Sequence, residues 1–267
     1  MKENKIDNNK SSKIKNFFHC NDFDETKSLT SWFISPKILF IFRGIIFLYS
    51  WIVLIGQFVN SAIGQGAGDF FKFFTNLSFI GLTAYFTTAF YHSYRHVTKK
   101  HKPLSNQSKI LNWLFWLLYH TTVHFSMLIV LTYWLFLSQT FIHGKPPPFR
   151  WWLNVSVHGL NFLFTLIEVF LNRQRMVVSF IIFNLIILIL YIFIGYINYA
   201  VNSQWVYGFL NYNNGYKSAL WYIGLFISYT IIYFIMYGIH SLRDYIGKRF
   251  GRYKHEHKDD SDSFLPI

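Results

Sequence analysis

Long apolar segments separated by short polar connections make up most of this chain. A membrane-spanning helix needs about 20 apolar residues, and six segments reach that length. The third is longer than one straight crossing requires, so it must tilt or extend beyond the bilayer. The pattern predicts an all-α fold, a polytopic membrane bundle of six transmembrane helices, at roughly 38–60, 71–94, 110–140, 151–172, 176–200 and 218–240.

The regions that flank these segments are polar. Residues 1–35 are rich in lysine and lack the apolar core of a signal peptide. The residues after 240 are first basic and then acidic. We therefore predict a disordered cytoplasmic N-terminal tail over 1–35, a transmembrane domain over 36–240 and a disordered cytoplasmic C-terminal tail over 241–267.

The charge distribution predicts how the bundle is oriented. The chain is 52% hydrophobic and only 14% charged, which is typical of a membrane protein, yet its formal net charge is +13. Of its 25 Lys and Arg residues, 20 lie before the first segment, after the sixth, or in the loops after the second and fourth segments. This is the positive-inside pattern, and it places both termini in the cytoplasm. It indicates membrane lipids, not nucleic acid, as partners.

The fourth segment carries a polar stripe. Its hydrophilic residues are spaced by 4, 3, 4 and 3 positions, so they share one face of a helix. Ionisable side chains cost at least ~2.5–3.5 kcal/mol at a bilayer centre, and they normally face the bundle interior and serve a site. We therefore predict an inward-facing, functional stripe made of Asn154, His158, Asn161, Thr165 and Glu168.

Two residues at a similar predicted depth could form a catalytic pair. Thr75 lies near the outer end of the second segment, and His158 lies about 12 Å inside the outer end of the fourth. A buried imidazole stays largely neutral and can accept a proton. A threonine hydroxyl beside such a base could act as a nucleophile, although either residue could equally serve only helix packing.

Other histidines allow a different interpretation. His120 and His124 are four residues apart in the third segment, and His92 lies near the cytoplasmic end of the second. Histidines at this spacing can share a metal ion, but they also form structural hydrogen bonds. Together with His158 they could hold haem or two metal ions. Arg43, inside the first segment, is interpreted as extending its guanidinium to the membrane surface.

Three motifs carry a resemblance to a known family. The chain resembles the androgen-induced-protein family, including the androgen-dependent regulator of tissue factor pathway inhibitor and the related rolling stone proteins. The resemblance extends over about residues 36–240. The spacing between Trp152-Leu153-Asn154, His158 and Leu166-Ile167-Glu168 is fairly specific. Val155 and Gly208 depart from the family pattern, which has His and Pro there. The motifs are Lys72 to Leu77, Trp152 to Glu168, and Trp205 to Leu210.

The resemblance implies a multi-pass membrane hydrolase that cleaves fatty acid esters of hydroxy fatty acids or similar lipid esters. It implies Thr75 as nucleophile and His158 as base, with no cofactor. We expect a substrate or oxyanion pocket that includes Asn76, Asn154, Asn161, Glu168, Trp205 and Tyr207. The expected location is the endoplasmic reticulum or another endomembrane, or else the plasma membrane. The alternatives are a haem- or metal-binding redox protein that uses the histidines, and a non-enzymatic membrane organiser or adaptor, as the rolling stone relatives suggest.

Overall fold

The structure is a computed structural model that describes residues 12–64, 66–99, 104 and 106–253. All regular structure within these ranges is helical, without a β-strand. Six long helices dominate. They are α1 (Pro36–Gly64), α2 (Phe74–Lys99), α3 (Lys109–His143), α4 (Pro148–Leu171), α5 (Ile181–Asn202) and α6 (Tyr216–Phe250).

Short elements connect the long helices. Glu25–Leu29 and Ala67–Phe71 are short α-helices, and Val178–Phe180, Gly208–Leu210 and Tyr212–Asn214 are 3₁₀ turns. Pro148 stands in the first turn of α4, where its fixed φ favours helix initiation and its missing N–H costs no hydrogen bond.

Two of the long helices contain a π-helical turn. α3 passes through π geometry at Tyr133–Leu137 and continues as α-helix over Ser138–His143. α4 does the same at Ser156–Leu160, between Pro148–Val155 and Asn161–Leu171. Such turns insert an extra residue into the helix, and they occur frequently at functional sites. In α3 the extra residue also rotates the last turns about the helix axis relative to the turns before them.

An all-α polytopic membrane protein is confirmed. Among the described residues, five helices are long and apolar enough to cross a membrane: α1, the whole of α3, α4, the segment Val178–Asn202, and α6. Helix α2, with 26 residues, is long enough, but its Thr, Ser, Tyr and His residues make it less apolar. The sixth crossing and the cytoplasmic location of both termini therefore stay predictions.

The helices pack around an aromatic core, and the polar stripe of α4 faces it. α1 runs along α2, while α3 contacts α2, α4 and α6. Asn154, Asn161, Thr165 and Glu168 are each at most 8% exposed, whereas Leu163 on the opposite side of α4 is 46% exposed. The inward orientation predicted for the stripe is confirmed at these positions.

The structure differs from the predicted tail boundaries. Helix α6 continues to Phe250, ten residues beyond the boundary that we placed at 240. The buried guanidinium of Arg243 fixes this extension, because it donates to the carbonyl groups of Val169 and Gln174. Before α1, Trp32 is buried against Gly247. The remainder of the predicted tails, 1–11 and 254–267, lies outside the described residues.

Candidate functional site

A cavity of about 780 Å³ opens where the ends of α1, α2, α3 and α4 meet the loop 203–215. Five residues of the predicted site line it. Its lining also includes Gln57, Asn60 and one charged residue, Arg150. Many of the described residues that line the cavity are polar, and none of them is acidic. The predicted residues that it brings together are Thr75, His158, Asn76, Asn154 and Tyr207.

His158 sits in the π turn of α4 with a defined tautomer. Its Nδ1 lies 3.0 Å from the carbonyl oxygen of Asn154, and a carbonyl can only accept, so Nδ1 carries the proton. Within the described chain Nε2 has no hydrogen-bond partner. The lone pair of Nε2 is therefore available to accept a proton from a group in the cavity.

The π turn of α4 is anchored on both sides. The Ser156 hydroxyl donates to the Trp152 carbonyl at 2.7 Å and also lies 2.6 Å from the Tyr49 hydroxyl of α1. Trp134 of α3 donates from Nε1 to the carbonyl oxygen of His158 at 2.9 Å. These bonds hold the π turn in place, and with it the imidazole of His158.

Tyr133 is a site residue that sequence reasoning missed. Its ring stacks on the His158 imidazole, with ring centroids 3.6 Å apart and planes 18° apart. The Tyr133 hydroxyl accepts a hydrogen bond of 2.7 Å from Nδ2 of Asn154, which leaves the phenolic proton free to be donated. In the sequence Tyr133 is one of 18 tyrosines in an aromatic-rich chain, and nothing there marks the π turn that aims it at His158.

Thr75 lies in the first turn of α2, beside Tyr207 from the loop after α5. The Tyr207 phenol is buried, which raises its pKa, while hydrogen bonding to Tyr191 and Thr75 opposes that rise. Tyr207 therefore stays protonated at neutral pH. The neighbouring Asn76 donates from Nδ2 to the Phe70 carbonyl at 2.9 Å, which fixes the start of the helix.

Thr75 and His158, which we expected to approach each other, are not joined by a hydrogen bond in the described structure. Among the hydrogen bonds of the described residues none joins these two side chains, and both instead line the same cavity. A proton that passes from the hydroxyl to Nε2 would therefore need a bridging water molecule in the cavity. The catalytic assignment of the pair stays a prediction.

Glu168 does not join this site. Its carboxylate accepts hydrogen bonds from Arg43 at 2.5 Å, from Tyr85 at 2.8 Å and from Asn172 at 3.0 Å. The interpretation of Arg43 as reaching the membrane surface is wrong, since its side chain is fully buried and also donates to Ser93 and to the Ser28 carbonyl. The carboxylate holds the guanidinium inside because an unpaired buried charge would be costly.

Two further pocket candidates lie away from the cavity. The Asn161 side-chain oxygen accepts from the Phe162 backbone N–H at 2.6 Å, so Asn161 supports the start of the α-helix after the π turn. Trp205 stacks on Tyr199, with ring centroids 4.4 Å apart, and belongs to an aromatic cluster. Neither residue lines the cavity that holds Thr75 and His158.

Two histidines of the metal hypothesis, His120 and His124, have structural partners. His120 bonds to the Trp116 carbonyl through Nδ1 and accepts from the Val177 N–H through Nε2. His124 bonds to the Tyr229 carbonyl and to Asn184. In the described part of the chain, no three His, Cys, Asp or Glu residues, His92 included, group closely enough to hold a metal ion. His120 and His124 connect helices.

Fold and site together define an all-α polytopic membrane protein with a polar cavity among its helix ends. The FAR-17a/AIG1-like protein family matches residues 37–241, which is most of the chain, and the chain belongs to this family. The match includes all the residues of the cavity. The protein rolling stone of Drosophila melanogaster is 22% identical over 224 residues, which cover 76% of this chain and 79% of that protein. No solved structure matches the chain.

Proposed function

We propose that this protein hydrolyses a lipid ester, such as a fatty acid ester of a hydroxy fatty acid, with Thr75 as nucleophile and His158 as general base. The observation that carries the proposal is the shared cavity. It holds a threonine hydroxyl and an imidazole with a free Nε2. Placing polar groups inside a membrane bundle costs free energy, so such groups normally serve a function.

The reaction begins when the Thr75 hydroxyl attacks the ester carbonyl. Nε2 of His158 accepts the hydroxyl proton through one water molecule in the polar cavity and then delivers it to the departing alcohol. An acyl-threonine remains, and water entering through the polar cavity attacks it with His158 again as base. The products are a fatty acid and an alcohol, and Thr75 regains its proton. The step needs no oxidant or reductant.

In this proposal Tyr133 stabilises the oxyanion. Its hydroxyl accepts from Asn154 and keeps its own proton for donation, and its ring is fixed against His158. A positioned donor at a developing oxyanion contributes about 2.7–4 kcal/mol of transition-state stabilisation. Asn154, which we expected to donate directly, acts through Tyr133 in this arrangement.

The proposal is tested with purified protein, a fluorophosphonate probe and a medium-chain ester. We expect labelling and hydrolysis by the wild type, and loss of both in Thr75→Ala and His158→Gln. Thr98→Ala is the matched control, because Thr98 is exposed at the opposite end of α2. Ester hydrolysis by Thr75→Ala at the wild-type rate would refute the nucleophile assignment, and a protein without any hydrolysis or labelling would favour the non-enzymatic alternative.

A further inference from the structure

A second cavity, of about 300 Å³, adjoins the first and differs from it in chemistry. Residues of α3, α5 and α6 and the residues after Trp205 form most of its wall, and none of the described residues in its lining has a charged, amide or imidazole side chain. Thr75, Tyr133, Leu137 and Tyr207 line both cavities. The polar and apolar spaces therefore meet at the proposed nucleophile and its neighbouring phenols.

The apolar cavity has a closed end. Leu128 and Ile129 line it and belong to a buried cluster with Phe125, Tyr229 and Ile232. Leu185 and Leu188 line the cavity and pack against the same cluster.

The other end of the apolar cavity lies beside the start of α2. There the Tyr191 hydroxyl donates to the Lys72 carbonyl, three residues before Thr75. Seven residues separate Leu185 from Ile192 on α5, a rise of about 10 Å. The cavity is therefore an apolar slot that runs from Thr75 to the buried cluster, and the exposed side chains of Ile189 and Phe226 in its lining leave it open along one side.

We propose that this slot binds the acyl chain of the substrate and limits its length to on the order of ten methylenes. A methylene fills about the volume of one water molecule, ~30 Å³ in the liquid, so 300 Å³ accommodates one chain of that length. A polar occupant would lose its hydrogen bonds to water without replacement. The inference rests on the proposed function for its chemistry, but the binding of a chain does not require catalysis.

The geometry assigns a separate role to each cavity. With the chain in the slot, the carboxyl group reaches the junction beside Thr75, Tyr133 and Tyr207. The alcohol portion and the water for deacylation then occupy the polar cavity. The leucines at the closed end, Leu185 and Leu188, become the residues that determine chain length.

The experiment measures fatty-acid binding separately from hydrolysis. Thermal stabilisation by free fatty acids of six to sixteen carbons is recorded for Thr75→Ala protein in detergent, alone and combined with Leu188→Trp. Each methylene buried in the slot strengthens binding about fourfold, so stabilisation should rise steeply with chain length and level off near ten to twelve carbons. Leu188→Trp fills the slot and should move that limit to shorter chains.

Two further variants make the test decisive. Leu190→Trp is the matched control, because Leu190 lies on the same helix, is 57% exposed and does not line the slot. It should keep the wild-type length limit. Leu185→Ala opens the closed end and should move the limit to longer chains, which tests the proposal even if Leu188→Trp does not fold.

Wild-type protein is then assayed with p-nitrophenyl esters of the same chain lengths. The same length limit in binding and hydrolysis, shifted in parallel by both leucine variants, supports the slot. A limit that neither variant moves overturns it, even if esters are hydrolysed. Length-limited binding without hydrolysis of any ester supports the slot and refutes the proposed hydrolase function.

Discussion

Replacing Glu168 should destabilise the protein more than any other single truncation on α4. Its carboxylate is fully buried and neutralises Arg43, which is equally buried. It also accepts from Tyr85 and Asn172. Removing one partner of a buried ion pair costs about 3–5 kcal/mol, because the other charge stays buried without compensation. Glu168→Ala should therefore remove a large part of a typical stability of about 5–15 kcal/mol.

The loss is measurable as a shift in the thermal unfolding midpoint. For proteins of this size 1 kcal/mol corresponds to about 2–4 °C, so Glu168→Ala should lower Tm by roughly 6–20 °C. Thermal unfolding in detergent, followed by size-exclusion chromatography, gives the midpoint. Leu163→Ala on the exposed face of the same helix serves as control and should shift Tm by only a few degrees.

A double variant separates the ion pair from general packing. Arg43→Met combined with Glu168→Leu removes both charges and keeps apolar volume, and such replacements are often neutral or stabilising. The double variant should therefore be more stable than Glu168→Ala. If Glu168→Ala unfolds within 2 °C of the Leu163→Ala control, or if the double variant is the less stable of the two, the buried-pair account is wrong.

Three further predictions follow from other parts of the molecule. Tyr133→Phe should lower ester hydrolysis by about 10²–10³-fold while fluorophosphonate labelling at Thr75 and folding persist; an unchanged kcat would remove Tyr133 from the mechanism. A Cβ on Gly247 would lie 2.3 Å from the Trp32 ring, so Gly247→Ala should cost about 1–3 kcal/mol of stability, whereas Gly238→Ala, which meets open space on the same helix, should not destabilise. Tags at both termini should be accessible to protease from the cytoplasm and one in loop 203–215 should be protected; a protected terminal tag would contradict the predicted orientation.

Apolar length and helical periodicity were sufficient to predict the architecture. Six long helices follow from six apolar segments, and the inward face of α4 follows from residues that repeat every three or four positions. These patterns are local, so each segment reveals its own conformation and its own buried face. The helical bounds differ by a few residues at most ends, and by ten at Phe250, where Arg243 makes contacts distant in sequence.

The site was less accessible to sequence reasoning because its features are not periodic. The stripe suggested one continuous site on α4, but the π turn at Ser156–Leu160 shifts the register within it. His158 consequently faces the polar cavity, while Glu168 turns to Arg43 at a separate location. The stacking of Tyr133 on His158 depends on two π turns meeting across helices, which no single segment encodes.

The central claim is that Thr75 forms a covalent bond with an acyl or phosphonyl group. The most direct measurement is mass spectrometry of the peptides of fluorophosphonate-treated protein. The account predicts one modified residue, Thr75, with the modification lost in Thr75→Ala and in His158→Gln and retained in Thr98→Ala. A modification on any other residue, or labelling that persists undiminished in Thr75→Ala, would contradict it.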